Sequence, residues 1–225
     1  MKLRKGQSFD PIAHVDASYP DLKFMMAPQA RKVEDLIVSG DLSRTLELGF
    51  AHGKSSAYIA AILKSLGRGS HVTVDRLSAE RREPNIHQVL EKLGLTDLVT
   101  IYVEQQSYTW RLMKMLESGQ RFDFCYLDGG HIWDATGFAF YLVDQMLEPG
   151  GVIVLDDLDW TVERSLPPEH WPKAEANYVR EYVSTPQVRK VFELIAKRMP
   201  NYECEEWKRW GIARKKKSAA DGKAA

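Results

Sequence analysis

The chain has 225 residues, and its 31 Lys and Arg balance 31 Asp and Glu. At that length one large domain is expected, able to hide roughly 70% of the surface that its unfolded form exposes. With 44% hydrophobic and 28% charged residues, the composition excludes a disordered chain, a collagen-like repeat and a disulfide scaffold. The balanced charge argues against an electrostatic nucleic-acid binder.

Residues 1–26 have weak periodicity and carry Pro11 and Pro20; they read as an irregular N-terminal arm lying over the domain or a neighbouring subunit. Pro28 opens a helical pattern (Val33, Leu36, Ile37) that Gly40 closes. TLELG from Thr45 is a first strand, and Lys54 to Leu66 is a helix stopped by Gly67. HVTVD (71–75) is a second strand, Pro84 to Gly94 a helix and VTIYVE (99–104) a third strand. Ser107 caps a helix running to Glu117, and FDFCYLD (122–128) is a fourth strand. Trp133 to Leu147 is a helix, Glu148-Pro149-Gly150-Gly151 a turn and VIVLDD (152–157) a fifth strand. Strands alternating with helices predict a parallel sheet covered on both faces.

Past Asp157 the pattern changes. WTVERSLPPEHWP is a Pro- and Trp-rich loop, longer than a plain connector. Helices at about 173–183 and 186–198 follow, then YECEEW and WGIARK as a hairpin, and a solvated tail. The expected organisation is therefore an arm (1–26), one domain (27–215) with a lid or substrate loop at 157–172, and a disordered tail (216–225).

Cys125 and Cys204 lie far apart with no CxxC partner, which fits a reduced, cytoplasmic protein. The first residues, MKLRKGQSFDPIAH, lack the apolar run of a secretory signal, and no stretch of 18 apolar residues marks a membrane span. No nucleic-acid or membrane partner is expected; a homodimer is left open.

In an open α/β sheet, ligands bind beyond the carboxyl ends of the strands. There the chain carries Glu47-Leu48-Gly49-Phe50-Ala51-His52-Gly53-Lys54-Ser55. The two glycines allow close backbone approach to a ligand, or simply a tight turn. The segment is neither a Walker loop, because Leu48 stands where the first glycine belongs, nor a GxGxxG fingerprint. Glu47 would repel a pyrophosphate and suits a cationic head such as an amino-acid ammonium. Asp75, ending the second strand, is placed to accept hydrogen bonds from ribose hydroxyls, or else caps a helix.

ELGFAHGKSS, TVDR, YLDGGH and EPGGVIVLDD, in that order over residues 30–160, resemble the class I S-adenosylmethionine-dependent methyltransferases. The resemblance implies an α/β, Rossmann-like doubly wound, mostly parallel seven-stranded sheet with a C-terminal antiparallel hairpin. It implies a Gly49–Gly53 loop under the methionine part of the cofactor, Asp75 on the ribose, and Gln106 and Ser107 near the adenine. The cofactor set to expect is Glu47, Gly49, Phe50, Gly53, Ser55, Asp75, Arg76, Gln106, Ser107 and Asp128.

YLDGGHIWD and VLDDLDW further resemble the metal-dependent small-molecule O-methyltransferases, catechol-type and caffeoyl-CoA-type enzymes among them. That likeness implies a divalent ion on Asp128, Asp156 and Asp157. Three carboxylates form a hard oxygen site suited to Mg²⁺, Mn²⁺ or Ca²⁺; otherwise Asp156 and Asp157 cap the next segment. His131 stands where catechol-type enzymes have a catalytic lysine. A histidine can serve there as general base, or merely pack in its loop. Trp133, Trp160 and Trp171 form an aromatic lid over a flat or apolar acceptor, or else ordinary core or a dimer contact. The expected function is methyl transfer to a hydroxyl of a small molecule. The alternatives are a metal-independent methyltransferase and a non-catalytic S-adenosylmethionine-binding protein.

Overall fold

The computed structural model describes residues 9–170 and 178–217. Helices α1 (Pro11–Ser18) and α2 (Ala27–Gly40) precede strand β1 (Arg44–Leu48). Then α3 (Lys54–Leu66), β2 (Ser70–Arg76), α4 (Ile86–Leu93), β3 (Val99–Glu104), α5 (Tyr108–Glu117), β4 (Phe122–Leu127), α6 (Trp133–Met146) and β5 (Leu147–Leu155) alternate. After them come α7 (Val162–Ser165), α8 (Arg180–Ser184), α9 (Gln187–Leu194), β6 (Tyr202–Trp207) and β7 (Trp210–Lys215). Local chemistry sets these boundaries. Gly67 ends α3 at φ +65°, the Asn85 side chain accepts from the Gln88 amide, and Ser107 accepts from Thr109.

The seven strands lie in the order β3-β2-β1-β4-β5-β7-β6. The first five are parallel, and the hairpin β6–β7 adds to β5 antiparallel. Chain order reverses between β1 and β4, so their carboxyl ends open a crevice there. The pleat sorts side chains into two apolar layers. Phe124 and Tyr126 of β4 face the layer of α2, α3 and α4, whereas Cys125 and Leu127 face the layer of α5, α6 and α9.

Two expectations are corrected. Residues 9–26 are irregular only in part: Asp10 caps the helix α1, whose Ile12 and Val15 are buried in the α3 layer, while 19–26 form turns and bends without helix or strand. With three buried residues, Pro11, Ile12 and Val15, in a helix of eight, this docking is a tertiary effect that periodicity does not register. Glu148 to Gly151 is not a turn between elements but a bulge inside β5. Phe122 pairs with Leu147 and Phe124 with Val152, so the extra residues are absorbed within the strand. Trp171 and the start of the expected 173–183 helix lie outside the described residues, as does most of the expected tail.

Candidate active site

Three turns meet at the carboxyl ends of β1, β4 and β5. The Asp128 amide donates to the Leu48 carbonyl at 2.9 Å, and the Asp156 amide to the Leu127 carbonyl at 3.0 Å. Each turn holds a non-glycine residue in the left-handed region: Ala51 (φ +50°), His131 (φ +49°) and Asp157 (φ +56°). Such conformations persist where surrounding contacts enforce them, and they cluster at functional sites. Between the turns lies a cleft of about 680 Å³, within the usual range of roughly 300–1,000 Å³ for small-molecule sites.

Asp75 shapes the first turn. Its Oδ2 accepts from the amides of Phe50 (2.9 Å) and Ala51 (2.8 Å). Oδ1 accepts from the Arg76 amide at 2.6 Å and retains a further acceptor site, and Asp75 lines the cleft beside Gly49, Phe50, Ser55 and Arg76. Gln106 and Ser107 line it after β3. On the far wall, His131 Nε2 stands 3.2 Å from Asp128 Oδ1 and 3.8 Å from Asp157 Oδ2. Arg209, from the β6–β7 turn, reaches the other oxygen of Asp157 at 3.1 Å. The Tyr108 hydroxyl donates to the Gly129 carbonyl at 2.9 Å and so fixes the loop that carries Asp128 and His131.

Two of the expected cofactor residues are not brought to the cleft. Glu47 is fully buried beneath α3. In β1 it sits in register with Thr73 and Tyr126, on the sheet face rather than at the strand end. There its carboxylate accepts from Ser56 and from Thr73 Oγ1 (2.7 Å), and faces His71 Nε2 at 3.3 Å. Burial works against its charge, but the His71 and Ser56 hydrogen bonds prevail and lower its pKa. Gly53 opens α3 at φ +87°, and a Cβ there would strike Ile86 at 2.5 Å. A side chain there has no room.

The expected acidic triad is also rearranged. The Asp156 carboxylate accepts from the buried Tyr126 hydroxyl and from the Asp157 amide. The donor atoms within 4.8 Å of one another belong to Asp128, His131 and Asp157. The left-handed turn at Asp157 aims successive side chains in different directions.

A family model described as a methyltransferase domain matches residues 46–158, half of the chain. The chain belongs to this methyltransferase-domain family. No curated protein sequence matches it. Among solved structures it is similar to the O-methyltransferase TomG of Streptomyces achromogenes, involved in tomaymycin synthesis and solved in complex with SAM. Identity is 21% and TM-score 0.62, over 92% of this chain and 87% of that one. It is also similar to an O-methyltransferase from Bacillus cereus in complex with SAH (19%, TM-score 0.62, 91% and 87%). An SAH-bound methyltransferase from Podospora anserina gives 15% identity and TM-score 0.63, over 92% and 87%. These likenesses establish the fold.

The methyltransferase domain concentrates charge on one wall of its cleft. Burial, then the charges of Asp156 and Asp157, push Asp128 up to about 7 against the His131 hydrogen bond. Burial opposes the His131 cation, yet the hydrogen bond and charge of Asp128 and the charges of Asp157 and Asp156 raise its pKa above 6.5. Without a ligand the cluster therefore retains a proton near neutrality. Sequence reasoning missed Phe24, Met25, Gln29, Arg82 and Arg209 as lining residues. They arrive from the N-terminal segment, the first turn of α2, the loop after β2 and the hairpin tip, and no local motif marks them. Trp160 of the expected lid is present, its ring 5.1 Å from that of His131.

Proposed function

We propose that this methyltransferase domain uses S-adenosylmethionine to methylate a hydroxyl of a small molecule. The carrying observation is one cleft with two unlike walls: a backbone turn tied to Asp75, and the polar cluster of Asp128, His131 and Asp157. The cofactor supplies a methyl group activated on a sulfonium. Asp75 and Arg76 hold its ribose end, Gln106 and Ser107 border the base, and Gly49, Phe50 and Ser55 border the methionyl part. The Asp128 carboxylate holds His131 through Nε2, orienting the imidazole and stabilising its cation, and the other ring nitrogen, Nδ1, takes the proton of the acceptor hydroxyl. Trp160 gives the acceptor an apolar wall. Neighbours named as O-methyltransferases support oxygen as the acceptor atom, and the absence of any helix long and apolar enough to cross a membrane, among the described residues, is compatible with a cytoplasmic enzyme.

One observation favours a metal-assisted version. Two carboxylates and an imidazole face the same open space, a mixed oxygen and nitrogen donor set that fits a divalent ion such as Mn²⁺ better than the all-oxygen site that Mg²⁺ prefers. Asp128, His131 and Asp157 would hold it, where a bound ion lowers the pKa of an acceptor hydroxyl. A neutral imidazole that holds an ion on one nitrogen carries its hydrogen on the other and cannot accept a proton, so chelation separates the two versions.

The test is turnover: the protein with S-adenosylmethionine and a panel of catechol, sugar and polyketide hydroxyls, with and without chelator, followed by S-adenosylhomocysteine release. Acceptor-dependent release supports the proposal. A loss on chelation that Mg²⁺ or Mn²⁺ restores selects the metal version. Release with none of the panel, by a protein that binds cofactor, turns the reading to a non-catalytic binding protein.

A further inference from the structure

Lys54 is the first residue of α3, directly after the glycine turn, and its side chain is only 1% exposed. Lysine is almost never fully buried unless its ammonium is paired. Here both partners come from one short stretch of chain. Nζ donates to the Leu22 carbonyl at 2.8 Å and stands 3.7 Å from Asp16 Oδ1. The same carboxylate accepts from the hydroxyl of Tyr58, one turn further along α3. Two side chains of the helix that follows the glycine turn thus grip the segment from α1 to Leu22.

What that segment carries lies two residues on. Phe24 has φ +83°, a conformation that disfavours a bulky side chain, and it is 52% exposed, so core burial does not offset the strain. Its ring lies 5.8 Å from that of His52, in the glycine turn, and the Arg82 guanidinium stands 5.6 Å from its centroid. Phe24 and Met25 both line the cleft. An aromatic ring held against its backbone preference at the mouth of a polar cleft is placed to cover a ligand, not to fill a core.

We infer that Lys54 is a positioning residue: through Asp16 and the Leu22 carbonyl it clamps the N-terminal segment so that Phe24 and Met25 roof the cofactor side of the cleft. The inference rests on the methyltransferase reading for the identity of the ligand, S-adenosylmethionine or S-adenosylhomocysteine. The clamp itself does not depend on it. Lys54 touches no reacting atom, and its effect on binding passes through the roof.

The test uses the full chain and three variants. Lys54→Met keeps the apolar stem and removes the ammonium. Asp16→Asn weakens the clamp at a half-exposed position, and serves if Lys54→Met does not fold. Phe24→Gly removes the roof and relieves the strained φ without touching the clamp. S-adenosylhomocysteine affinity is measured calorimetrically well below each variant's Tm, and trypsin cleavage after the exposed Lys23 reports the segment's position. Lys54→Met and Asp16→Asn should speed cleavage and weaken binding, about 10-fold for Lys54→Met, as expected for loss of an aromatic cover. Phe24→Gly should weaken binding by a similar factor without lowering Tm, a combination that a merely structural role does not produce. Wild-type affinity in Phe24→Gly overturns the roof. Wild-type cleavage in Lys54→Met, or in Asp16→Asn where only that variant folds, overturns the clamp. If the unmodified protein itself binds no S-adenosylhomocysteine, the methyltransferase reading falls instead, and the cleavage rates still decide the clamp.

Discussion

Gly49 is where the turn after β1 meets the turn after β4, and replacing it by alanine tests that meeting. A Cβ at Gly49 would stand 2.4 Å from the Asp128 carbonyl oxygen and 2.9 Å from its carbon, with φ at +96°. Both obstacles are backbone, so no side chain can swing away. Gly67→Ala is the matched control, since Gly67 has φ +65° and nothing within 4 Å of a built Cβ. Both variants carry the left-handed penalty of roughly 1–2 kcal/mol, partly offset by a less flexible unfolded chain. Gly49→Ala adds overpacking of roughly 1–3 kcal/mol, and at about 2–4 °C per kcal/mol for a chain of this size its Tm should lie roughly 2–12 °C below that of Gly67→Ala. Relieving the contact to an ordinary 3.4 Å moves the Asp128 peptide by about 1 Å, and a displacement of that size costs roughly 100-fold in rate. Scanning calorimetry and turnover at a temperature where both variants are folded check this. Equal Tm values with undiminished turnover in Gly49→Ala would refute the packing of the two turns and the placement of Asp128 that follows from it.

Asp75→Ala removes the acceptor for three backbone amides and should weaken S-adenosylhomocysteine binding about 10- to 100-fold; unchanged calorimetric affinity would detach Asp75 from the cofactor. His131→Ala should lower kcat by roughly 10²–10⁴ while moving KM far less, as loss of a general base does; a wild-type kcat would leave His131 a packing residue. Glu47 has a folded pKa below its ordinary 4.5, so it contributes stability that is present above pH 4.5 and lost as the pH falls through the lowered value. Removing that carboxylate with Glu47→Gln should flatten the acid limb of a stability–pH curve, and an unaltered acid limb would contradict the assignment.

Much of the fold is legible because its signals are local. The alternation of strands and helices, the Ser107 cap and the glycine stop of α3 each depend on a few neighbouring residues. The same holds for the turn after β1 and for Asp75, whose positions at strand ends follow from the strands alone. Directions within the sheet are less legible. Glu47 precedes the glycine turn in sequence, yet strand parity and register with Thr73 turn it beneath α3. Asp156 and Asp157 look interchangeable as letters, and only the left-handed turn sends one to Tyr126 and the other to His131. Phe24, Met25 and Arg209 reach the cleft from distant segments, and nothing around them in the sequence announces it.

The central claim, that the cleft between the Asp75-bound turn and the Asp128–His131–Asp157 cluster is a cofactor site, is tested most directly by calorimetric titration with S-adenosylhomocysteine. The account predicts saturable one-to-one binding in the micromolar range, weakened by Asp75→Ala. No heat of binding from either S-adenosylhomocysteine or S-adenosylmethionine at millimolar concentration would contradict it.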